Sequence, residues 1–228
     1  MTIRTNYIVF IILLMGTSFT LQAQSKTQEP NTHRVEWQKP GMEIKKGLDA
    51  YALRDDDGII YVWNQFRPYF KTKVIGKEIK GAFDGDSAYF LVDGIFLQIM
   101  PAETAQFLKN VNGLSDAQIL NAHRDWEFEY MKNSLRSAMT MKSWLNKLPD
   151  GTPLLYWEAI PGKLSPNKPM KYIMVTRRVP GAVICATSVE NSSTPLEKAK
   201  TLIFYAISHV EILKERLEAT DLQKALKK

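Results

Sequence analysis

The segment Leu196 to Leu213 constrains the fold more than any other part of the chain. Leu196, Ala199, Leu202, Ile203, Ala206, Ile207, Val210 and Leu213 recur at helical spacing and form one continuous apolar stripe. A stripe of that length has to be buried against something large, and a sheet is the simplest partner. Thr194, Pro195 and Glu197 supply start signals: an N-cap, a proline preset for the first helical position, and the glutamate of a capping box. Beyond Leu213 the sequence turns charged. A charged helical extension over 214–228, reaching into solvent, is expected.

The rest of the chain supplies the sheet. Leu48 to Leu53 and Ile59 to Asn64 are strand-like, joined by Arg54-Asp55-Asp56-Asp57-Gly58, where Gly58 is expected to provide a positive φ. Residues 65–82 have no clear period and suggest a short strand or an irregular crossing. Ser87 to Val92 and Ile95 to Met100 flank Asp93-Gly94, a two-residue type I′ loop whose twist suits paired strands. Pro101 is expected to end the second of these strands. Ala138 to Leu145, Leu154 to Ile160, Tyr172 to Arg178 and Ala182 to Val189 continue the pattern around turns at Pro149-Asp150-Gly151 and Pro180-Gly181.

A second helix interrupts the strands. Ser115 and Gln118 form a capping box, and Leu114 and Ile119 stand at the staple positions. The helix is expected over Asp116 to Asn133, with Ile119, Ala122, Trp126 and Tyr130 on one face. Runs of strands separated by two helices predict an α+β fold: an antiparallel sheet of about six to eight strands with two main helices packed on it.

This order resembles the PsbP-like family of α+β domains. The resemblance is carried by IFLQIMPAE, LSDAQILNAHRDWEFEYM, MKYIMVTRRVPGAVICATSVE and PLEKAKTLIFYAISHV, and spans Leu48 to Leu213 as a pattern of elements. It implies an exported or lumenal accessory or binding module without catalysis. The longer insert before the Asp93-Gly94 hairpin and the charged C-terminal extension depart from that pattern, so no functional residue is carried over.

The N-terminus reads as an export signal. Arg4 precedes an unbroken apolar run from Tyr7 to Met15, and Leu21-Gln22-Ala23 ends in a small residue. The run falls short of the roughly 20 apolar residues that span a bilayer. Cleavage after Ala23 would leave a polar, flexible leader over 24–41 and one domain over 42–213, either periplasmic or secreted; an uncleaved anchor is the alternative. No later stretch reaches spanning length. The lone Cys185 excludes an intramolecular disulfide and, within the strand-like VICATSV, reads as a small core residue. The net charge of +6 is dispersed and forms no nucleic-acid stripe. Export also argues against chemistry that depends on ATP or nicotinamide cofactors, and no cofactor motif occurs.

The catalytic candidates are few. His123, Asp125 and Glu129 lie together on the first helix, where they could do acid–base work if they lined a pocket; their ordinary reading is the solvated side of an amphipathic helix. His33, His123 and His209 have no metal-ligand spacing, so no metal site is expected. Asp55-Asp56-Asp57-Gly58 and Asp84-Gly85-Asp86 lack the spacing of a calcium loop and read as turns. No Gly-x-Ser-x-Gly elbow is present. Trp63, Asn64 and Phe66 join aromatics to an amide near a strand end and are the first choice for a ligand-binding patch. The expected partner is an envelope protein, a polymer or a small apolar ligand. An exported non-catalytic module is the leading expectation, and a small hydrolase or isomerase using the His123 cluster is the alternative.

Overall fold

A computed structural model describes residues 35–36, 43–46, 50–84, 87–162 and 170–226. The expected signal over 1–23 and the Gly85-Asp86 part of the second acidic turn lie outside these residues. The elements run β1 (Val35–Glu36), β2 (Glu43–Lys46), β3 (Ala50–Asp55), β4 (Gly58–Trp63), β5 (Tyr69–Ile75), β6 (Ile79–Asp84), β7 (Ser87–Val92) and β8 (Ile95–Glu103). Then follow α1 (Asp116–Leu135), β9 (Met139–Lys147), β10 (Pro153–Pro161), β11 (Lys171–Val179), β12 (Ala182–Glu190), α2 (Leu196–Ser208), β13 (Glu211–Leu213) and α3 (Ala219–Leu226).

The protein is α+β, and its strand pairs are antiparallel. Eight strands form one sheet in the order β1-β6-β7-β8-β12-β11-β10-β9. A second sheet of five strands, in the order β13-β5-β4-β3-β2, stands beside the expected one. Strand alternation divides the core between the two faces of the large sheet. On one face Ala182, Ile184 and Ala186 of β12 meet Ala199, Ile203 and Ile207 of α2, together with Tyr61, Phe70 and Val74 of the small sheet. On the other, Val183, Cys185 and Val189 of the same strand meet Leu120 and Met131 of α1. β12 is central and buried on both faces, which explains its nearly unbroken apolar run.

The start of α1 forms as expected. The Ser115 side chain accepts from the Gln118 backbone N–H at 3.3 Å, and the Gln118 side chain accepts from the Ser115 N–H at 2.9 Å. Asp93 and Gly94 both take positive φ, 48° and 80°, as a type I′ loop requires.

Other expectations are corrected. α2 has Pro195 at its N-cap with no side-chain cap, because the Asn191 side chain accepts the Ser193 and Thr194 backbone N–H groups in its own turn. Pro101 does not end its strand: β8 runs to Glu103, and past Ile99 it pairs with β12 alone, where a proline is tolerated. Residues 65–82 contain two regular strands, β5 and most of β6. Gly58 is required by close approach and not by a positive φ, since an added Cβ would lie 2.0 Å from the Val74 carbonyl oxygen. Val35–Glu36, within the expected leader, pairs with β6.

The largest correction concerns the tail. The last long helix stops at Ser208, and the chain returns as β13 on the edge of β5, where Lys71 and Glu211 pair at 3.0 Å. α3 then lays Ala219 and Leu222 against Tyr51, Leu53 and Val62. The charged region is a docked clasp and not a solvated helix, because its few apolar residues match the otherwise open face of the small sheet. Among the described residues, no helix is long and apolar enough to cross a membrane.

Candidate functional site

A cavity of about 350 Å³ lies between α1 and the large sheet. Its floor is the α1-facing side of four adjacent strands. Gln98, Met100 and Ala102 come from β8, Cys185 and Thr187 from β12, Tyr172 and Met174 from β11, and Trp157 from β10. The registers place these side chains together: Cys185 stands opposite Met100, Thr187 opposite both Gln98 and Met174, and Met174 opposite Trp157. α1 forms the roof with His123, Trp126, Glu127, Tyr130 and Met131. Gln65 and Phe66, from the loop after β4, contribute to the lining, as do Glu103 and Gln106 where β8 ends.

Polar contacts hold α1 over the sheet. Arg124 donates to Ser143 on β9 at 2.8 Å and to Asn121 at 2.6 Å. Arg178 on β11 pairs with Asp116 in the first turn of α1. His123, Phe107 and Trp126 pack ring against ring at 5.2–5.8 Å between centroids.

The floor is apolar with a few polar positions. Gln98 is 1% exposed; its Nε2 donates to the Met100 Sδ at 2.8 Å and to the Ser87 Oγ at 3.3 Å. A thioether can only accept, so this contact fixes the amide orientation. The Gln98 Oε1 has no hydrogen-bond partner among the described residues. Burial pushes the Cys185 thiol up to about 12, and the negative charge of Glu127 adds to the shift. Burial also pushes the Tyr172 phenol up to about 12. Both groups are therefore neutral near pH 7, and Cys185 is no thiolate nucleophile.

The structure separates the His123 cluster. His123 is 1% exposed and lines the cavity, on the buried face of α1 and not on a solvated one. The Asp125 side chain is 59% exposed and pairs with Arg124 at 2.7 Å. The Glu129 side chain is 61% exposed and pairs with Lys132 at 2.8 Å. Neither acid lines the cavity with His123.

The aromatic patch is divided as well. Trp63 is core, packed on Phe66 at 5.0 Å and on Phe70 at 6.4 Å between centroids. The Asn64 amide clamps the tail, donating to the Leu217 carbonyl at 2.9 Å and accepting the Leu217 N–H at 3.2 Å. Phe66 alone of the three lines the cavity. In the first acidic turn, Asp55 and Asp57 are bridged by Lys73 at 2.8 and 2.7 Å, which holds the Asp55 carboxyl below its usual range. Among the described residues, no cluster of histidine, cysteine and acidic side chains could hold a metal ion.

Sequence reasoning missed most of the floor. The available signal was polar residues at inward positions of apolar strands: Gln98 within IFLQIM and Thr187 within ICATSV.

The fold and site together define an α+β domain with a partly open, largely apolar cavity under one helix. No family model matches the chain, and no curated protein does. Among solved structures, the chain is similar to the solution structure of cyanobacterial PsbP (CyanoP) from Synechocystis sp. PCC 6803. That likeness has 10% sequence identity and a TM-score of 0.40, and covers 85% of this chain and 99% of that one.

Proposed function

We propose that this protein is an exported, non-catalytic binding module that takes a small, largely apolar ligand in the cavity under α1. The carrying observation is the cavity itself: about 350 Å³, walled by Phe66, Trp126, Tyr130, Trp157 and Tyr172, with a few polar positions on its floor. Ligand sites of this size are concave, mostly apolar and sparsely polar. The N-terminal sequence supports export. The acid–base alternative loses support because Asp125 and Glu129 point to solvent while His123 points inward.

The test uses the neutral fluorescent probe N-phenyl-1-naphthylamine and the chain from Gln24 onward. Saturable binding at one site per chain is expected. Ala102→Phe, which fills the floor, should abolish that binding and leave the melting temperature within a few degrees of the parent. Absence of saturable binding, or full binding by the filled variant, would remove the cavity as the site.

A further inference from the structure

The outer edge of the large sheet carries a second surface, separate from the cavity. We infer that two copies of this chain join through it, β9 to β9 and antiparallel, around a two-fold axis at Ser143, so that their large sheets become continuous.

β9 is nine residues long and ends the strand order of the large sheet. Among the described residues, no strand pairs with its outer side. Two hydrogen bonds, one beyond each end of β9, fix which backbone groups face outward. The Leu148 N–H donates to the Thr152 carbonyl at 2.9 Å, and the Gly162 N–H donates to the Ala138 carbonyl at 2.7 Å. Both continue the β9–β10 register. Bonded and non-bonded pairs alternate along an antiparallel ladder. The even-numbered residues between these bonds therefore turn N–H and C=O towards β10. Met139, Met141, Ser143, Leu145 and Lys147 turn theirs outward. Such a row is a template for a further strand.

The side chains select a second copy as that strand. Trp144 and Leu145 are 45% and 52% exposed. Trp144 stands on the α2 side, stacked on Tyr156 at 5.3 Å between centroids, and Leu145 on the α1 side with Met139 and Met141. An axis at Ser143 matches β9 along its whole length and sets outward residues against outward residues. On the α2 side Lys142 then faces the partner's Trp144, a cation beside an indole. On the α1 side Met141 faces the partner's Leu145, an apolar pair. Symmetry makes each contact twice. Lys147 faces the partner's Met139, so no lysine meets a lysine. An axis at Lys142 would set that lysine against itself, and an axis at Trp144 would set Met141 against Lys147. The net charge of +6 opposes any self-association, and added salt should therefore strengthen the dimer.

Sedimentation equilibrium on the chain from Gln24 onward should show the mass doubling, with a midpoint at about 10–100 µM for so small an interface. Trp144→Lys puts lysines opposite each other twice and should weaken the dimer about tenfold or more. Should that variant fail to fold, Leu145→Lys, at a more exposed position, should weaken it about threefold. Cysteine variants read the register. Two residues facing each other in a bonded pair have Cα atoms about 5.5 Å apart, within disulfide reach, so Ser143→Cys should give a covalent dimer on oxidation. The two copies of Thr140 would stand about 20 Å apart, so Thr140→Cys should not. The buried Cys185 does not compete.

A monomer throughout that concentration range would overturn the inference and leave the edge to a partner of different sequence. A dimer unaffected by Trp144→Lys or Leu145→Lys, or one that cross-links as readily through Thr140→Cys as through Ser143→Cys, would overturn it by placing the contact elsewhere.

Discussion

The two faces of the eight-stranded sheet are built from the same strands and do different things. Along β12, Ala182, Ile184 and Ala186 face α2 and the small sheet, while Val183, Cys185 and Thr187 face α1. The α2 side is closed by aliphatic and aromatic packing, including the edge-to-face pair Tyr61–Phe90 at 5.8 Å. On that side Tyr156 donates to Glu158 at 2.5 Å, and Thr72 donates to the Ala206 carbonyl at 2.5 Å. The α1 side has a cavity, a buried amide oxygen with no partner among the described residues, and a helix held at its borders by arginines. One strand thus carries a closely packed surface and part of the cavity floor, separated only by the period-2 alternation of its side chains.

The contrast can be broken by truncation. Phe70→Ala and Phe90→Ala, on the α2 side, should each cost about 3–5 kcal/mol in chemical denaturation. Met174→Ala, which merely enlarges an existing space, should cost about 2 kcal/mol or less. Equal losses would mean the α1 face is as tightly packed as its opposite.

A second difference shows at alkaline pH. The Cys185 thiol has a folded value of about 12 against an ordinary 9.0. Its contribution is fully present below pH 9 and is lost as pH rises towards 12, by at most about 4 kcal/mol. Cys185→Ala should flatten that part of the stability profile between pH 9 and 12. An unchanged profile would mean that the thiol is in contact with water.

The border of α1 offers a smaller test. Arg124→Ala removes the contacts to Ser143 and Asn121 and should cost about 1–2 kcal/mol. Hydrogen exchange should rise in α1 and not in α2. Uniform exchange across both helices would argue against a separately latched roof. The smallest effect belongs to neither face. Asp55→Asn breaks the Lys73 bridge at a turn and should cost about 0.5–1 kcal/mol. Because the Asp55 carboxyl is held below its usual value, its contribution is present above pH 4 and lost as pH falls through the folded value. A variant as acid-sensitive as the parent would contradict that assignment.

Much of the scaffold was legible in the sequence because its signals are local. The capping box of α1, the Asp93-Gly94 loop and the stripe of α2 each act within a few residues. What was missed depends on distant partners. β5 alternates Phe70, Thr72 and Val74 inward, but Thr72 and the lysines between disguise the period, and the buried Thr72 is satisfied only by Ala206 of α2. The tail looked solvated because Leu217 and Leu222 are too sparse to form a stripe; they find their place on β3 and β4. The site was half legible. His123 and Phe66 reach the cavity, while Asp125 and Glu129 are paired along their own helix with Arg124 and Lys132, Trp63 is packed into the core, and Asn64 is engaged by Leu217, 153 residues away.

The placement of β12 also sets a schedule. β8 ends at Glu103, and its inner neighbour begins only at Ala182. β5 likewise waits for β13, and β3 for α3. For a chain threaded through a channel from its N-terminus, neither sheet can be completed until nearly all of it has emerged. Pairings so distant in sequence close slowly. In a chain so threaded, an architecture that inserts its central strand late would leave both sheets incomplete for most of the passage.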